Sequence, residues 1–517
     1  MITSRLKSGE SRPKFAASGT ALSEHANFRS HWAHWPAFFV VALIGLACRL
    51  PQLNARPMHT DEAVNAYIVG QLLAGESFTY DPHDRHGPAL AAIALPLAWI
   101  QGARSFSDLT ESELRVTSVA AGTITILLFG AAVEMFGFLP SLLAALLFAV
   151  SSLPVYYDRY FIHESLLGAA TFGLILSSWH VFKKRSIGYA ALAGACGAWM
   201  VACKETAILH LFALIVAALA FRGWNLRGNN SAKRLSLSPL LAAVTTFLAV
   251  IVLSFTWFGR NWSSLLQLSH VAQNVLARAA GQGHEQPFLY FGKLLISGWS
   301  GGMLVGLASL GLFLAVRRHD TSPYPFLAYY GLLLAAIYSL IRYKTPWLAL
   351  NLWLPLALLA AMALESLWLT AAKQFGRRAS TPAFCILLAV ASVLIAHDTR
   401  QRVFLHPTDE SNPYAYAHTS DDLLGLPAEI ANTARQQSIH TPRIAVIASD
   451  PWPLPWYLRH CQQVGFWQPG QQVPDADFYV TSTEAANQYA GRLSGFRPDF
   501  FGIRPGVLIL LWLPEPK

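Results

Sequence analysis

The sequence predicts a mainly α-helical, polytopic membrane protein with about eleven transmembrane helices and a small C-terminal α/β domain. Composition is the first observation: hydrophobic residues make up 54% of the 517 residues and charged residues only 13%, against roughly 25% charged in soluble proteins. Pattern is the second, because long apolar runs recur between residues 36 and 397. The third is a change to polar composition after that point, which marks a separate domain.

Eleven of the apolar runs approach the roughly 20 residues that a helix needs to cross a bilayer. The predicted spans are 36–50, 116–136, 139–155, 163–182, 187–203, 206–222, 236–258, 294–316, 323–341, 347–370 and 381–397. The further apolar stretch 88–101 is not counted as a transmembrane span, because counting it would put the later basic clusters on alternating sides of the membrane. We expect this stretch to lie on the membrane surface or to be re-entrant.

Short basic clusters set the orientation, since cytoplasmic loops carry an excess of Lys and Arg. With eleven spans, the tail 1–35 and the clusters 183–185, 222–234, 317–318 and 373–378 share one side. The same scattered clusters account for the net charge of +9 without a nucleic-acid surface. We therefore expect a multi-pass protein of the plasma (inner) membrane, with a cytoplasmic N-terminus and a periplasmic or other extracytoplasmic C-terminal domain.

The C-terminal domain contains apolar, β-branched segments at 443–450, 477–483 and 506–514, which predict strands, and a helix is expected at 454–461. No glycine-rich phosphate-binding motif opens a helix there, so nucleotide binding lacks support. The predicted organisation is a basic tail over 1–35, a transmembrane domain over 36–397 with a first outer loop at 51–115, and an extracytoplasmic α/β domain over 398–517.

Six polar stretches fall on the outer side in this orientation. They are "HTDEAVNAY" (59–67), "DPHDRHGP" (81–88), "YYDRYFIHES" (156–165), "CKET" (203–206), "FGRNW" (258–262) and "RYKTPW" (342–347). A charged group at the bilayer centre costs about 2.5–3.5 kcal/mol on insertion scales, and one at a span end costs less. Lys204 or Arg342 alone therefore reads as an interfacial anchor, whereas six such stretches on one side predict a functional site.

The acidic pair Asp61-Glu62 after the first span, the downstream "HGP", the segment "YYDRYFIHESLL" and "KET" at a helix end resemble the GT-C glycosyltransferases. That superfamily includes the protein O-mannosyltransferases and the lipid A aminoarabinose transferase. A longer pattern is similar to bacterial and archaeal proteins described as flippase-activity-associated: "MHTDEAVNAYIVGQLLAGESFTYDPHDRHGPAL" with "KTPWLALN" and "NPYAYAHTS". The resemblance implies a GT-C-like membrane domain in a lipid bilayer. It also implies sugar transfer from a polyprenyl-phosphate donor to a protein, lipid or envelope glycan at the outer face.

Under this resemblance, Asp61 takes a proton from the acceptor hydroxyl and Glu62 supports it. The departing phosphate needs cations, for which Arg159 and Lys204 are the leading candidates. The remaining candidate phosphate ligands are Arg260, Arg342 and Lys344, and the candidate substrate-binding residues are His59, Tyr67, His86, Tyr157, Glu164 and Glu205. An acidic pair also occurs at helix N-termini, where negative charge is favoured.

Cofactor use is open at this stage. Some GT-C members use a divalent metal ion, for which Asp61, Asp158 and Glu164 are the candidate ligands here, but no motif of fixed ligand spacing decides the question. The alternative function is a flippase-associated or lipid-linked-sugar transport component, although matched broken helices in inverted repeats are not visible. A third class, an envelope scaffold with a decayed site, conflicts with the retained acids and cations.

Overall fold

The computed structural model describes residues 33–226, 237–279, 284–317 and 322–515. In these residues the chain forms a bundle of helices, followed by a domain with one five-stranded sheet. Most of the predicted basic tail 1–35 lies outside the described residues, as do parts of the clusters 222–234 and 317–318.

A helix occupies the position of each of the eleven predicted spans. Six helices among the described residues are long and apolar enough to cross a membrane: Glu111–Ala131, Glu164–Lys184, Leu237–Phe255, Gly298–Arg317, Pro346–Phe375 and Arg377–Leu405. The other five are shorter apolar helices: Trp35–Arg49, Phe138–Val150, Ile187–Cys203, Ala207–Phe221 and Tyr324–Leu340. A helix of about 15 residues covers roughly 22 Å of a hydrocarbon core about 30 Å thick. Eleven crossings therefore remain a prediction.

Burial separates a central helix from peripheral ones. The apolar part of Pro346–Phe375 is 94% buried, whereas that of Leu237–Phe255 is 17% buried and that of Arg377–Leu405 only 11%. An apolar helix that packs so little of its surface against protein is stable where a nonpolar solvent covers it. The peripheral helices therefore provide a lipid-facing surface around the packed centre of the bundle.

Reporter fusions test the predicted orientation. We expect alkaline phosphatase to be active when fused after Lys517 and inactive when fused at Arg185, because the basic cluster that contains Arg185 favours the cytoplasmic side. Green fluorescent protein at the same two positions is the matched control, since it should give the opposite pattern. Phosphatase activity at Arg185 with none at Lys517 would reverse the orientation and move the candidate site to the cytoplasmic face.

The first outer loop contains two helices, Thr60–Leu73 and Ala89–Gln101. The second helix packs against the first and against Glu111–Ala131 and Ile187–Cys203. It has 13 residues, the same length as the predicted span Phe138–Val150, so length alone does not decide whether it crosses. That 88–101 is not a span therefore stays a prediction.

The C-terminal domain holds a mixed sheet with the strand order β2-β1-β3-β5-β4. The strands are β1 (Arg443–Ile447), β2 (Gln463–Trp467), β3 (Phe478–Ser482), β4 (Phe496–Arg504) and β5 (Val507–Pro514). β1 is parallel to β2 and β3, whereas β5 is antiparallel to β3 and β4. The predicted strands correspond to β1, β3 and β5, and the expected helix at 454–461 is a single turn, Leu454–Tyr457. β2 (QVGFW) and β4 (FRPDFFGIR) were not predicted.

Shorter helices connect the main elements. They are Phe106–Asp108, Val133–Phe136, Ser152–Tyr157, Ser263–Leu266, Gln267–His270, Val271–Ala279, Tyr290–Leu295, Pro346–Leu348, Asp421–Gly425, Leu426–Gln436 and Thr483–Gln488, with a π-helical turn at Arg400–Leu405. The π-helical turn Arg400–Leu405 continues the final membrane helix into the polar connector that leads to the sheet domain.

Several hydrogen bonds attach the C-terminal domain to the first outer loop and the bundle, among them bonds at Met58 and Trp456. The Met58 N–H donates to the hydroxyl of Tyr457 at 2.8 Å, and the hydroxyl of Thr419 donates to the Met58 carbonyl at 2.6 Å. The indole N–H of Trp456 donates to Glu111 at 2.8 Å. A shared hydrophobic cluster also contains buried residues of the loop and of the sheet. The loop that carries Asp61 is therefore held between the bundle and the C-terminal domain.

Candidate active site

Asp61 lies in the first turn of the helix Thr60–Leu73. The preceding His59 has an extended backbone, and its Nδ1 accepts the backbone N–H of Asp61 at 3.1 Å. The side chain of Asp61 is half-buried, and its carboxylate makes no hydrogen bond or ion pair with the part of the chain that the structure describes. Its oxygens are therefore open to a ligand.

Glu62, the second acid of the pair, is completely buried. One carboxylate oxygen accepts from Nε of Arg115 and from the Phe161 N–H, both at 2.8 Å. The other accepts from Nη2 of Arg115 at 2.8 Å and from the His59 N–H at 3.0 Å. Burial by itself raises the pKa of Glu62, but the charge and hydrogen bonds of Arg115 outweigh it and lower this pKa to about 2. Glu62 is therefore an ionised internal support for the helix start.

Lys204 follows the helix Ile187–Cys203 and is buried. Its Nζ donates to a carboxylate oxygen of Glu164 at 2.6 Å. Burial lowers the pKa of Lys204, but the ion pair with Glu164 outweighs that effect, and Tyr343 and Asp61 raise it further, above its ordinary value. Because an ammonium group has three donors and Glu164 uses one, Lys204 is a charged donor within electrostatic reach of Asp61.

A second polar group adjoins Lys204 in sequence. One carboxylate oxygen of Glu205 accepts from the hydroxyl of Tyr80 at 3.0 Å, and the other lies 2.8 Å from Nδ1 of His86. Glu205 is buried, while His86 is partly exposed. The candidate substrate residues His86 and Glu205 are thus in direct contact, at the boundary between the protein interior and the outside.

The "HGP" turn and the "KET" segment meet at this point. A Cβ added at Gly87 would lie 2.2 Å from the carbonyl oxygen of Ala202, so only glycine lets the turn approach the helix end this closely. The ring of His163 packs on that of His86 with centroids 5.2 Å apart, and its Nε2 lies 3.3 Å from the Gly87 carbonyl oxygen. The fold therefore joins two motifs that lie more than 100 residues apart.

The "RYKTPW" stretch borders the same site. Tyr343 forms an isolated antiparallel bridge with Glu285. Lys344 is buried, and its Nζ donates to the carbonyl oxygen of Gln286 at 3.0 Å. Because Tyr343 contributes to the raised pKa of Lys204, this stretch lies on the Lys204 side of the site.

Arg260 and Arg342 are exposed, and the structure gives neither guanidinium group a partner among the described residues. Each follows a membrane helix: Arg260 comes after Leu237–Phe255 and Arg342 after Tyr324–Leu340. Both are open to an anionic ligand, but they are not joined to Lys204 by any described contact.

The structure places two other predicted residues away from this group. The guanidinium of Arg159 donates to the carbonyl oxygens of Arg49, Pro51 and Gln52 at 2.6, 2.5 and 3.1 Å, which closes the end of the first helix. Asp158 is completely buried and accepts from Nε of Arg49 at 2.9 Å. These contacts favour structural roles for Arg159 and Asp158.

The two candidate tyrosines also lie elsewhere. Tyr157 is completely buried, and its hydroxyl donates to the carbonyl oxygen of Tyr414 at 3.1 Å. Tyr67 is exposed on the opposite part of its helix, where its ring contacts those of Phe106 and Trp452. Tyr157 therefore belongs to the packed interior, and Tyr67 to the contact with the C-terminal domain.

Two residues that the sequence analysis did not single out are close enough to Asp61 for its charge to act on their pKa values. Nδ1 of His284 and the hydroxyl of Tyr416 lie 2.6 Å apart. Burial lowers the pKa of His284 and raises that of Tyr416, and in both cases the charge of Asp61 adds an upward contribution. The signal for Tyr416 was the aromatic-rich connector "NPYAYAHTS"; His284 has no local sequence signal.

Two of the three candidate metal ligands are engaged in ion pairs. Asp158 is paired with Arg49, and Glu164 with Lys204, which leaves Asp61 as the one open carboxylate of the three. Nowhere in the described ranges are three or more His, Cys, Asp or Glu side chains grouped so that they could hold a metal ion. Mg²⁺ often takes only one or two carboxylates from the protein, together with phosphate oxygens of a substrate. Use of a divalent ion therefore stays a prediction.

Comparison with known proteins bears on the fold. Residues 95–257, less than half of the chain, match the sequence family described as dolichyl-phosphate-mannose-protein mannosyltransferase. No curated protein matches the sequence. Among solved structures, ArnT from Cupriavidus metallidurans bound to undecaprenyl phosphate is similar with a TM-score of 0.62 and 17% identity, over 93% of this chain and 98% of that one.

The oligosaccharyltransferase of Archaeoglobus fulgidus is similar as well. Its apo form has a TM-score of 0.55 and 14% identity, over 94% of this chain and 76% of that one. The same enzyme, AglB, in complex with an inhibitory peptide and a dolichol-phosphate, has a TM-score of 0.54 and 14% identity, over 94% and 77% of the two chains. These likenesses cover both the helical bundle and most of the C-terminal domain. The chain therefore has the fold of the GT-C superfamily of membrane glycosyltransferases.

Proposed function

We propose that this protein transfers a sugar from a polyprenyl-phosphate-linked donor to a protein, lipid or envelope glycan at the outer face of the membrane. One observation carries the proposal: the open carboxylate of Asp61 is close enough to the buried ammonium of Lys204 to raise its pKa. Such a pair supplies the base and the cation that this transfer needs.

In this reaction the acceptor oxygen attacks the anomeric carbon of the sugar. Its proton passes to the carboxylate of Asp61, the bond between the anomeric carbon and the phosphate oxygen breaks, and the electron pair stays on the phosphate. A carboxylate is a competent general base when it reaches the hydroxyl within about 3 Å. The carboxylate of Asp61 is available for such a contact, because it has no described partner to displace.

The departing lipid phosphate gains negative charge as that bond breaks, and a nearby cation stabilises the charge. Lys204 suits this role, since Glu164 keeps it charged while using one of its three donors. Arg342 and Arg260 are open cations that can add contacts from the exposed side. Arg159 and Lys344 are the weaker candidates, because their donors already hold backbone carbonyl groups.

His86, Glu205 and Tyr80 form the polar wall next to Lys204. Sugars are recognised by a few fixed hydrogen-bonding groups at the edge of a pocket. A connected group of imidazole, carboxylate and phenol beside the phosphate cation fits the sugar of the donor. The ligands named for the similar structures, undecaprenyl phosphate and dolichol-phosphate, belong to the same chemical class of lipid phosphate.

A transfer assay tests the proposal. Purified protein is incubated with a panel of radiolabelled polyprenyl-phosphate sugars and membrane extract, and label is followed from the lipid fraction into acceptor. We expect at least one donor to lose label to an acceptor with the wild-type protein, and to keep it with Asp61→Asn. If label crosses a vesicle membrane but never leaves the lipid, the protein is the transport component instead.

Lys204→Ala should weaken donor binding and transfer together. A phosphate contact that exists in both the ground state and the transition state lowers KM and supports turnover. We expect the KM for the lipid donor to rise and kcat/KM to fall by about 10-fold or more, since a charge-assisted hydrogen bond contributes about 1.5–3 kcal/mol. The measurement is a donor titration in mixed micelles.

Lys293→Ala is the matched control, because Lys293 lies in the short helix Tyr290–Leu295 and is exposed. Its KM should stay at the wild-type value. A Lys204→Ala protein that folds normally and keeps the wild-type KM would rule out Lys204 as a phosphate ligand.

A further inference from the structure

The ring of His59 is fixed between Asp61 and the connector of the C-terminal domain. Its Nδ1 accepts the Asp61 N–H at 3.1 Å, and its Nε2 lies 3.1 Å from the carbonyl oxygen of Tyr416. Since a carbonyl only accepts and an amide N–H only donates, this network assigns the hydrogen to Nε2 and the lone pair to Nδ1. These two contacts therefore fix the orientation of the His59 ring.

This ring serves as the cap of the helix that begins with Asp61. The first N–H groups of a helix have no partner inside it, and a side-chain acceptor at the preceding residue usually satisfies one of them. Histidine is not among the preferred residues for that role, which Ser, Thr, Asp and Asn normally fill. Here the cap is also packed, because His59 is only 4% exposed and its ring contacts those of Tyr160, Trp347 and His418.

We infer that His59 is a positioning residue that fixes the backbone of Asp61, and hence the direction of its carboxylate, through a cap held in place by the C-terminal domain. The inference rests on the proposed function, in which Asp61 is the general base. It gives His59 a different role from the substrate contact that the sequence resemblance implied.

Tyr416, in the connector between the last membrane helix and the sheet, contacts two histidines. The carbonyl oxygen of Tyr416 holds Nε2 of His59, while the hydroxyl of the same residue lies 2.6 Å from Nδ1 of His284. His59 accepts the backbone N–H of Asp61, and the negative charge of Asp61 makes an upward contribution to the pKa of His284. The C-terminal domain therefore reaches the site through Tyr416 and His418, and correct docking of this domain is a condition for correct placement of the base.

Two substitutions separate capping from packing. His59→Phe keeps a ring in the aromatic cluster but removes the acceptor, whereas His59→Asn loses the ring but keeps a side-chain oxygen suited to a helix N-cap. Because misplacement of a reacting group by about 1 Å can cost about 10²-fold in rate, we expect His59→Phe to lower kcat by about 10- to 100-fold. The KM for the donor should change less than about 2-fold, since His59 does not contact the phosphate site.

The remaining measurements make the role specific. We expect His59→Asn to recover most of the lost kcat. In an Asp61→Asn background, His59→Phe should cause no further loss of kcat, because the effects of two substitutions that act through the same group do not add. Thr110→Ala removes the equivalent cap of the helix Glu111–Ala131 and should leave kcat unchanged, which controls for capping in general.

Three results would overturn the inference while leaving the proposed function intact: wild-type kcat in His59→Phe, no recovery in His59→Asn, or multiplied losses in the Asp61→Asn background. If the wild-type protein transfers no sugar from any donor of the panel, the proposed function fails, and the positioning role falls with it. Thermal unfolding of each variant in detergent separates a misfolded protein from a folded, slow one.

Discussion

Asp61→Asn should remove most of the turnover and leave donor binding nearly unchanged. Asparagine keeps the shape of the side chain and loses its basicity, and general-base catalysis contributes about 10²- to 10⁴-fold to a rate. We expect kcat to fall by a factor in that range with little change in the KM for the donor. The folded state should tolerate the change, because the carboxylate of Asp61 has no described partner that would be left alone.

The control for this measurement is Asp475→Asn, an acid-to-amide change at a side chain that is 87% exposed in the C-terminal domain. It should keep wild-type kcat. Both proteins must elute as single folded species in detergent before rates are compared. A folded Asp61→Asn protein with wild-type kcat would exclude Asp61 as the base.

The membrane bundle was predictable from the sequence because its signal is local. Each run of apolar residues reports on its own helix, and all eleven runs coincide with helices in the structure. The number of crossings was not decided in this way. Trp35–Arg49 and Phe138–Val150 have only 15 and 13 residues, and whether such helices cross depends on how the surrounding bilayer and protein adapt.

Part of the site was predictable for a similar reason. Asp61, Lys204, His86 and Glu205 stand in short polar motifs between apolar runs, and the structure brings the "HGP" and "KET" motifs into contact at Gly87. Arg159 stands in an equally polar motif, yet its donors hold backbone carbonyl groups. The residue type identifies a cationic side chain, but the fold decides which group that side chain contacts.

Non-local partners explain what the sequence analysis missed. Arg115 lies 53 residues after Glu62 in the first turns of a membrane helix, and nothing near either residue points to the other. His284 comes close to Asp61 because its segment pairs with the stretch around Tyr343. Such contacts depend on how helices pack and loops return, which local patterns do not report.

Glu62→Gln should strongly destabilise the protein, which separates the roles of the two acids. The change leaves the guanidinium of Arg115 buried without a counter-charge, and breaking a buried pair in this way costs about 3–5 kcal/mol. We expect a lower Tm and a smaller monodisperse fraction in detergent. The pKa of Glu62, about 2 in the folded state, lies below its unfolded value, so the stabilisation is complete above the unfolded pKa and is lost only as the pH falls toward 2. The contribution of this pair to the wild-type Tm should therefore stay constant between about pH 6 and 8.

The double variant Glu62→Gln/Arg115→Met distinguishes lost charge balance from lost shape. Removing the unpaired charge should recover part of the Tm. The recovery should be incomplete, because Arg115 also donates to the carbonyl oxygens of Leu53, Arg56 and Pro57, and methionine leaves these acceptors without a donor. If Glu62→Gln instead kept the wild-type Tm and lost only transfer, Glu62 would act on the substrate. The buried ion pair would then not be what holds the start of the helix that carries Asp61.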